Sequence, residues 1–209
     1  DSKTKTTILK LRRHKRMKEK TCLVTAYDYP QSLIADQAGV DAILVGDSCG
    51  MTTHGYKTTI PVTMDIMVTH CESVSRGAKD AFLIGDMPYM SYQPSDQIAV
   101  ENAGRFVVAG MDCVKVEGAM IDRIKAICDS GIMVMSHLGL TPHTRAKLGG
   151  YRVQGKTAKS AEIVLDQARR LQDAGCSFLL LEAMPTEPAG MIAEELNIPV
   201  YGIGAGNRV

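Results

Sequence analysis

Six short apolar runs each carry an ionisable group at or just past their C-terminal ends: Asp28, Asp47, Asp86, Lys115 with Glu117, His137, and Glu182. Any one of them could cap a helix or sit in a solvated loop. Six in the same relative place point to one site. Asp47 in VGDS and Asp86 in IGDM end two successive runs, which as neighbouring strands would lie about 4.8 Å apart. Two carboxylates that close repel unless a cation or a proton lies between them. No His/Cys cluster of ligand spacing stands nearby in the sequence, so hard oxygen donors argue for Mg2+ or a similar ion, against the plainer reading of one Asp as a helix cap.

Lys115 and Glu117 alternate on one run, so a period of two sends both to one face. The Lys suits a substrate carboxylate or a developing oxyanion and the Glu a metal, while a structural Lys–Glu pair is the alternative. Glu182 follows the run FLLL, the setting that makes a carboxylate a better base near neutral pH, and is the candidate general base. His137 reads equally as a site residue or as a core histidine bonded to backbone. Two glycine-rich segments add weaker signals. GIGAGN at 202–207 fits a phosphate loop or merely a tight turn, and LGGYRVQGK at 148–156 lies in a long connection that would suit a lid.

The elements that must position these groups read as serial β/α units. Seven apolar runs, at 22–26, 41–47, 81–87, 111–118, 133–139, 178–184 and 199–206, have the continuous character of strands covered on both faces. Between them, Pro61 opens a helix that Gly77 closes, stripes over Ile98–Val107 and Ile121–Cys128 end at Gly110 and Gly131, Ser160 caps a helix stopped by Gly175, and Pro188 opens the last. AGVDAILV, AGMDCVKV and AGCSFLLL each set a helix-ending Gly before a strand. Seven such units predict an α/β fold, a (β/α)8 barrel without its eighth strand, occupying 1–209 as a single domain. A doubly wound open sheet is the competitor.

Composition limits the rest. The 209 residues are 45% hydrophobic and 22% charged, with net charge +1, which excludes disordered and collagen-like classes. No run reaches the roughly 18 apolar residues of a membrane helix, so no membrane partner is expected. Residues 1–20 hold nine Lys/Arg against two acids, leaving 15 bases and 21 acids beyond. That arm suits nucleic acid or organelle targeting, or more simply a short basic surface helix at about 7–20, and no nucleic-acid partner is expected. Six cysteines without a CxxC pair read as buried hydrophobes in a reducing compartment.

The strings TAYDYP, VGDSCGMTTHGY, TIPVT, GDMPYMSY, VKVEG, HLGLTP, GGYRVQGK, LLLEAMP and GIGAGN follow one another in an order and spacing that closely resembles the ketopantoate hydroxymethyltransferases from about residue 7 onward. The resemblance implies a (β/α)8 TIM barrel of the phosphoenolpyruvate/pyruvate type. It implies transfer of a hydroxymethyl group from 5,10-methylenetetrahydrofolate to 3-methyl-2-oxobutanoate, giving 2-dehydropantoate for pantothenate and coenzyme A. It makes Asp47, Asp86 and, through water, Glu117 the Mg2+ ligands, and Glu182 the catalytic base. Asp47, Ser48, Asp86, Lys115 and His137 would contact the ketoacid. A cytoplasmic homo-oligomer, a decamer, is implied too, or a mitochondrial one if a transit peptide preceded Asp1. The family pattern continues past GIGAGN into an eighth strand, and Arg152 and Lys156 stand where related sequences exchange basic residues. Two rivals are another Mg-dependent lyase or mutase of 2-oxo acids and a non-catalytic barrel subunit.

Overall fold

The computed structural model describes residues 4–144, 155 and 157–209. The chain forms two compact units, Asp1–Lys115 and Val116–Val209. The first runs α1 (Ile8–Met17), β1 (Leu23–Thr25), α2 (Tyr29–Ala38), β2 (Ala42–Val45), α3 (Cys49–Thr52), α4 (Met64–Gly77), β3 (Phe82–Asp86) and α5 (Asp96–Val108). Strand β4 (Cys113–Glu117) spans the division.

In the first unit the strands pair in parallel and in chain order, β1 with β2, β2 with β3, β3 with β4. Parallel neighbours need a crossover helix, and both faces are then covered. All five residues of β3 and all five of β4 are buried, as their unbroken apolar runs require. Close approach of the helices depends on small strand residues: a Cβ at Gly85 would lie 2.3 Å from Phe106 of α5. Met67, Cys71 and Val74 of α4 are fully buried.

The helix starts obey capping chemistry. Asp28, one of the six strand-end groups, accepts a hydrogen bond from Gln31 N–H at 2.8 Å and is the N-cap of α2, with Pro30 in its first turn. Helix α4 starts at Met64 behind the cap Thr63 rather than at Pro61, because Thr63 Oγ1 accepts from Ile66 N–H. Ser95 caps α5 in the same way. Helix α3 is a single turn with no periodic signal in the sequence.

The second unit runs α6 (Ile121–Asp129), β5 (Met133–Gly139), a 3-10 turn (Pro142–Thr144), α7 (Ala158–Asp173), β6 (Phe178–Glu182), α8 (Thr186–Glu195) and β7 (Val200–Ile203). Here β6 lies between β5 and β7, again in parallel. The expected cap of α7, Ser160, is its third residue: Thr157 is the cap, and the two side chains form a reciprocal capping box. Pro188 similarly falls inside the first turn of α8, where its missing N–H costs nothing, and the helix opens at Thr186. Gly175, at φ +102°, ends the α7 region in the left-handed conformation that the AGC phrase anticipates.

No helix among the described residues is long and apolar enough to cross a membrane. The segment 148–156 falls outside the described residues apart from Gly155, so the lid reading and the basic pair Arg152 and Lys156 fall outside them too.

Candidate active site and an adjacent sulfur–imidazole cluster

Register explains the first cluster. Strands β3 and β4 pair so that Asp86 stands opposite Lys115. Lys115 Nζ donates to both Asp86 oxygens, at 2.9 and 2.8 Å, with the two side chains only 8% and 4% exposed. Such a pair persists in a dry setting because each ion removes the cost of burying the other. Asp47, at 6% exposure, follows β2, and its backbone N–H donates to Asp86 Oδ2 at 3.2 Å. Asp47, Asp86 and Lys115 are therefore brought together at the C-terminal ends of adjacent strands, as the sequence predicts. Ser48 follows Asp47 directly in the chain, and its Oγ lies 2.8 Å from the Tyr27 hydroxyl. Tyr27 lies in the TAYDYP string, yet nothing in its spacing singles it out. Asp28 does not join this group, since it caps α2.

In the second unit Glu117 is buried and turned toward the 3-10 turn. Its oxygens accept from His143 N–H at 2.9 and 3.1 Å, and His143 Nδ1 lies 3.7 Å from Oε2. His143 is a residue that sequence reasoning missed; the phrase LTPH, following a strand end, is its only signal. Glu182 ends β6, and its Oε2 is 3.1 Å from Nε2 of His137, which is 1% exposed against 27% for Glu182. His137 is thus both a core residue and the neighbour of the candidate base. Gly139, at φ +95°, holds this arrangement: a Cβ there would lie 2.2 Å from the Glu182 carbonyl oxygen, which accepts from Leu140 N–H at 2.9 Å. At GIGAGN the tight-turn reading is visible, because a Cβ on Gly206 (φ +84°) would sit 2.2 Å from Thr186 Oγ1.

The expectation of no His/Cys cluster near Asp47 is corrected by the fold. Cys49 Sγ, a nitrogen of His54 and a nitrogen of His70 all lie within 4.8 Å of one another. The sequence hides this because His70 arrives from α4, 16 residues beyond His54. Burial, with the negative charges of Asp47 and Asp86, pushes the Cys49 thiol up to about 12.

Comparison with known proteins bears on what these groups serve. Residues 5–209 match the family model described as ketopantoate hydroxymethyltransferase. The 3-methyl-2-oxobutanoate hydroxymethyltransferase of Alkaliphilus metalliredigens is 49% identical over 205 residues, covering 97% of this chain and 73% of that protein. Its counterpart from Geobacillus kaustophilus is 50% identical over 194 residues, covering 91% and 70%. Among solved structures, 2,3-dimethylmalate lyase of the PEP mutase/isocitrate lyase superfamily aligns with TM-score 0.70 at 19% identity, over 97% of this chain and 74% of that one. Phosphonopyruvate hydrolase in complex with oxalate and Mg2+ aligns with TM-score 0.70 at 12% identity, over 96% and 72%. These likenesses establish the fold, the α/β barrel type of that superfamily. With a family model matched over nearly its whole length and relatives half identical to it, the chain belongs to the ketopantoate hydroxymethyltransferase family, a family of enzymes.

Proposed function

We propose that the chain transfers a hydroxymethyl group from 5,10-methylenetetrahydrofolate to 3-methyl-2-oxobutanoate, giving 2-dehydropantoate in pantothenate biosynthesis. Family membership supports the reaction. The observation that carries the site is the buried Asp86–Lys115 pair beside Asp47. The donor set fits a hard cation, because the Asp47 and Asp86 side chains offer only carboxylate oxygens. Asp47 and Asp86 would hold Mg2+, with Glu117 a further ligand through water. The oxalate and Mg2+ of the phosphonopyruvate hydrolase structure favour the same ion with a dicarboxylate-like ligand.

When bound, the ion supplies Lewis acidity that polarises the carbonyl of the 2-oxo acid. The chain's own residues do the remainder. Lys115 contributes a fixed positive charge where carboxylate and enolate oxygens would otherwise face two aspartates. Ser48, held by Tyr27, offers the ketoacid a hydroxyl. Glu182 removes the C3 proton, and His137 at 3.1 Å keeps its carboxylate placed for that transfer. The nucleophilic carbon left behind then bonds to the folate's methylene carbon, whose two C–N bonds break as water supplies the hydroxyl; the C3 proton and the remaining proton of water end on the nitrogens of the departing tetrahydrofolate.

The test isolates proton removal from transfer. Proton NMR of 3-methyl-2-oxobutanoate in D2O with Mg2+ and no folate should show the methyl doublet collapse as C3 exchanges. Glu182→Gln should lower that exchange by at least a hundredfold while ketoacid binding stays within a few-fold. Equal loss of both would remove Glu182 from the base role, and metal-dependent exchange that persists unchanged in the presence of folate, with no product formed, would favour a lyase or mutase.

A further inference from the structure

The geometry points to a second metal site in the first unit, formed by Cys49, His54 and His70 and selective for a borderline transition-metal cation such as Zn2+. It differs in chemistry from the oxygen-only Asp47 and Asp86 pair, since thiolate and imidazole donors select zinc-like ions over Mg2+.

The proton positions define the ligand atoms. His70 Nδ1 lies 2.6 Å from the Tyr27 carbonyl oxygen, an acceptor only, so Nδ1 carries the proton and Nε2 has a free lone pair. Metal-bound histidines are commonly oriented by such a bond to the backbone. His54 Nε2 approaches that lone pair at 2.8 Å, so without a metal His54 donates N–H to His70. A cation replaces that shared proton, and His54 moves its own proton to Nδ1.

Ligand spacing is close to what zinc needs. Tetrahedral Zn–N of about 2.0–2.1 Å and Zn–S of about 2.3 Å place donors roughly 3.3–3.7 Å apart, so the 2.8 Å nitrogen pair must open by about half an ångström and the sulfur, within 4.8 Å of both nitrogens, must settle into the same range. His54 is exposed and free to make that movement. Its loop is nevertheless anchored: His54 N–H donates to Cys49 O at 3.0 Å and Tyr56 N–H to Gly50 O at 2.8 Å. The His54 and Tyr56 rings stack with centroids 5.8 Å apart. A cleft of about 260 Å3 lined by His54, Asp65, Ile66, Thr69 and His70 leads to the nitrogens from solvent, giving an ion entry and a fourth position for water. On the buried side Cys49 Sγ lies 3.7 Å from the thioether of Met67, a further soft donor.

The test is calorimetric titration of the full chain with Zn2+ in saturating Mg2+, with Co2+ as the optical probe. One zinc per chain should bind, and Co2+ should give a sulfur-to-cobalt charge-transfer band. Cys49→Ser should abolish the band, and the conservative surface change His54→Gln should weaken zinc at least tenfold. Asp86→Ala should leave both signals in place. Absence of a thiolate band, zinc binding unaltered by His54→Gln, or loss of zinc only in Asp86→Ala would each overturn the site. None of these readouts involves turnover, so the outcome is separate from that of the proposed reaction.

Discussion

The Asp86–Lys115 pair sets the energetics of the site at the scale of single residues. Both ions are buried and bidentately bonded, so removing one leaves the other without compensation. Lys115→Met should cost about 3–5 kcal/mol in metal-free protein. Mg2+ should restore part of that loss, because a divalent cation then neutralises Asp86; the melting temperature should rise more with Mg2+ in the variant than in the parent chain. An equal rise in both would disconnect Asp86 from the ion. The cysteines give a pH-dependent expectation. Burial pushes the thiols of Cys49 and Cys128 up to about 12 and about 11, and those of Cys71 and Cys176 upward as well. At pH 8 a thiol of pKa 12 is thiolate in only about one molecule in ten thousand. Iodoacetamide at pH 8 should therefore label the exposed Cys22 first, and labelling at Cys49 should rise about tenfold for each pH unit up to 11, read by mass spectrometry. At this scale the sequence reveals Asp47, Asp86, Lys115 and Glu182, because each ends an apolar run. Tyr27, His143 and the His54–His70 pair are hidden, because their partners come from other elements and no local period marks them.

At the scale of elements, strands are more legible than helix ends. All seven apolar runs contain a strand, since a strand covered on both faces has no polar position to break its run. Helix starts move by a few residues because the cap is decided by which side chain reaches a free N–H. Thr157 wins over Ser160, and Thr63 over Pro61. What a composition reading cannot give is backbone locking at the end of β5. Gly139 has φ +95° and space for no Cβ, which would stand 2.2 Å from the Glu182 carbonyl oxygen. Gly139→Ala should lose about 2–4 kcal/mol of stability through backbone strain and displacement. The same change should slow C3 exchange by more than tenfold, since β6 must shift where it carries Glu182. A stability loss with unchanged exchange would show that the base does not depend on this contact.

At the scale of the whole molecule, the concentrated charge of the first twenty residues has a structural use. Helix α1 buries Leu11 to 1% exposure, and the arm is fastened to the chain just before three strands. Thr6 N–H donates to Asp80 O at 2.6 Å, Lys5 Nζ meets Asp112 at 2.8 Å and Lys10 Nζ meets Asp41 at 3.8 Å. These acids precede β3, β4 and β2, at the strand ends opposite to those bearing Asp47 and Asp86. The arm therefore covers the N-terminal strand ends of the first unit and leaves the chemical end open, as expected of a barrel-type fold whose chemistry gathers at the C-terminal ends of strands. Deleting residues 1–18 exposes the surface under Leu11 and removes the Lys5 partner of Asp112, which keeps its bond from Leu83 N–H. Burying a Leu is worth about 1.5–3 kcal/mol, while the half-exposed ion pairs add little. The deletion should thus lower the melting temperature by roughly 3–12 °C at 2–4 °C per kcal/mol for a chain of this size. Ketoacid-dependent exchange at 20 °C should remain, because no group at the open ends belongs to the arm. Loss of exchange from a chain that still melts cooperatively would instead give the arm a part in the reaction.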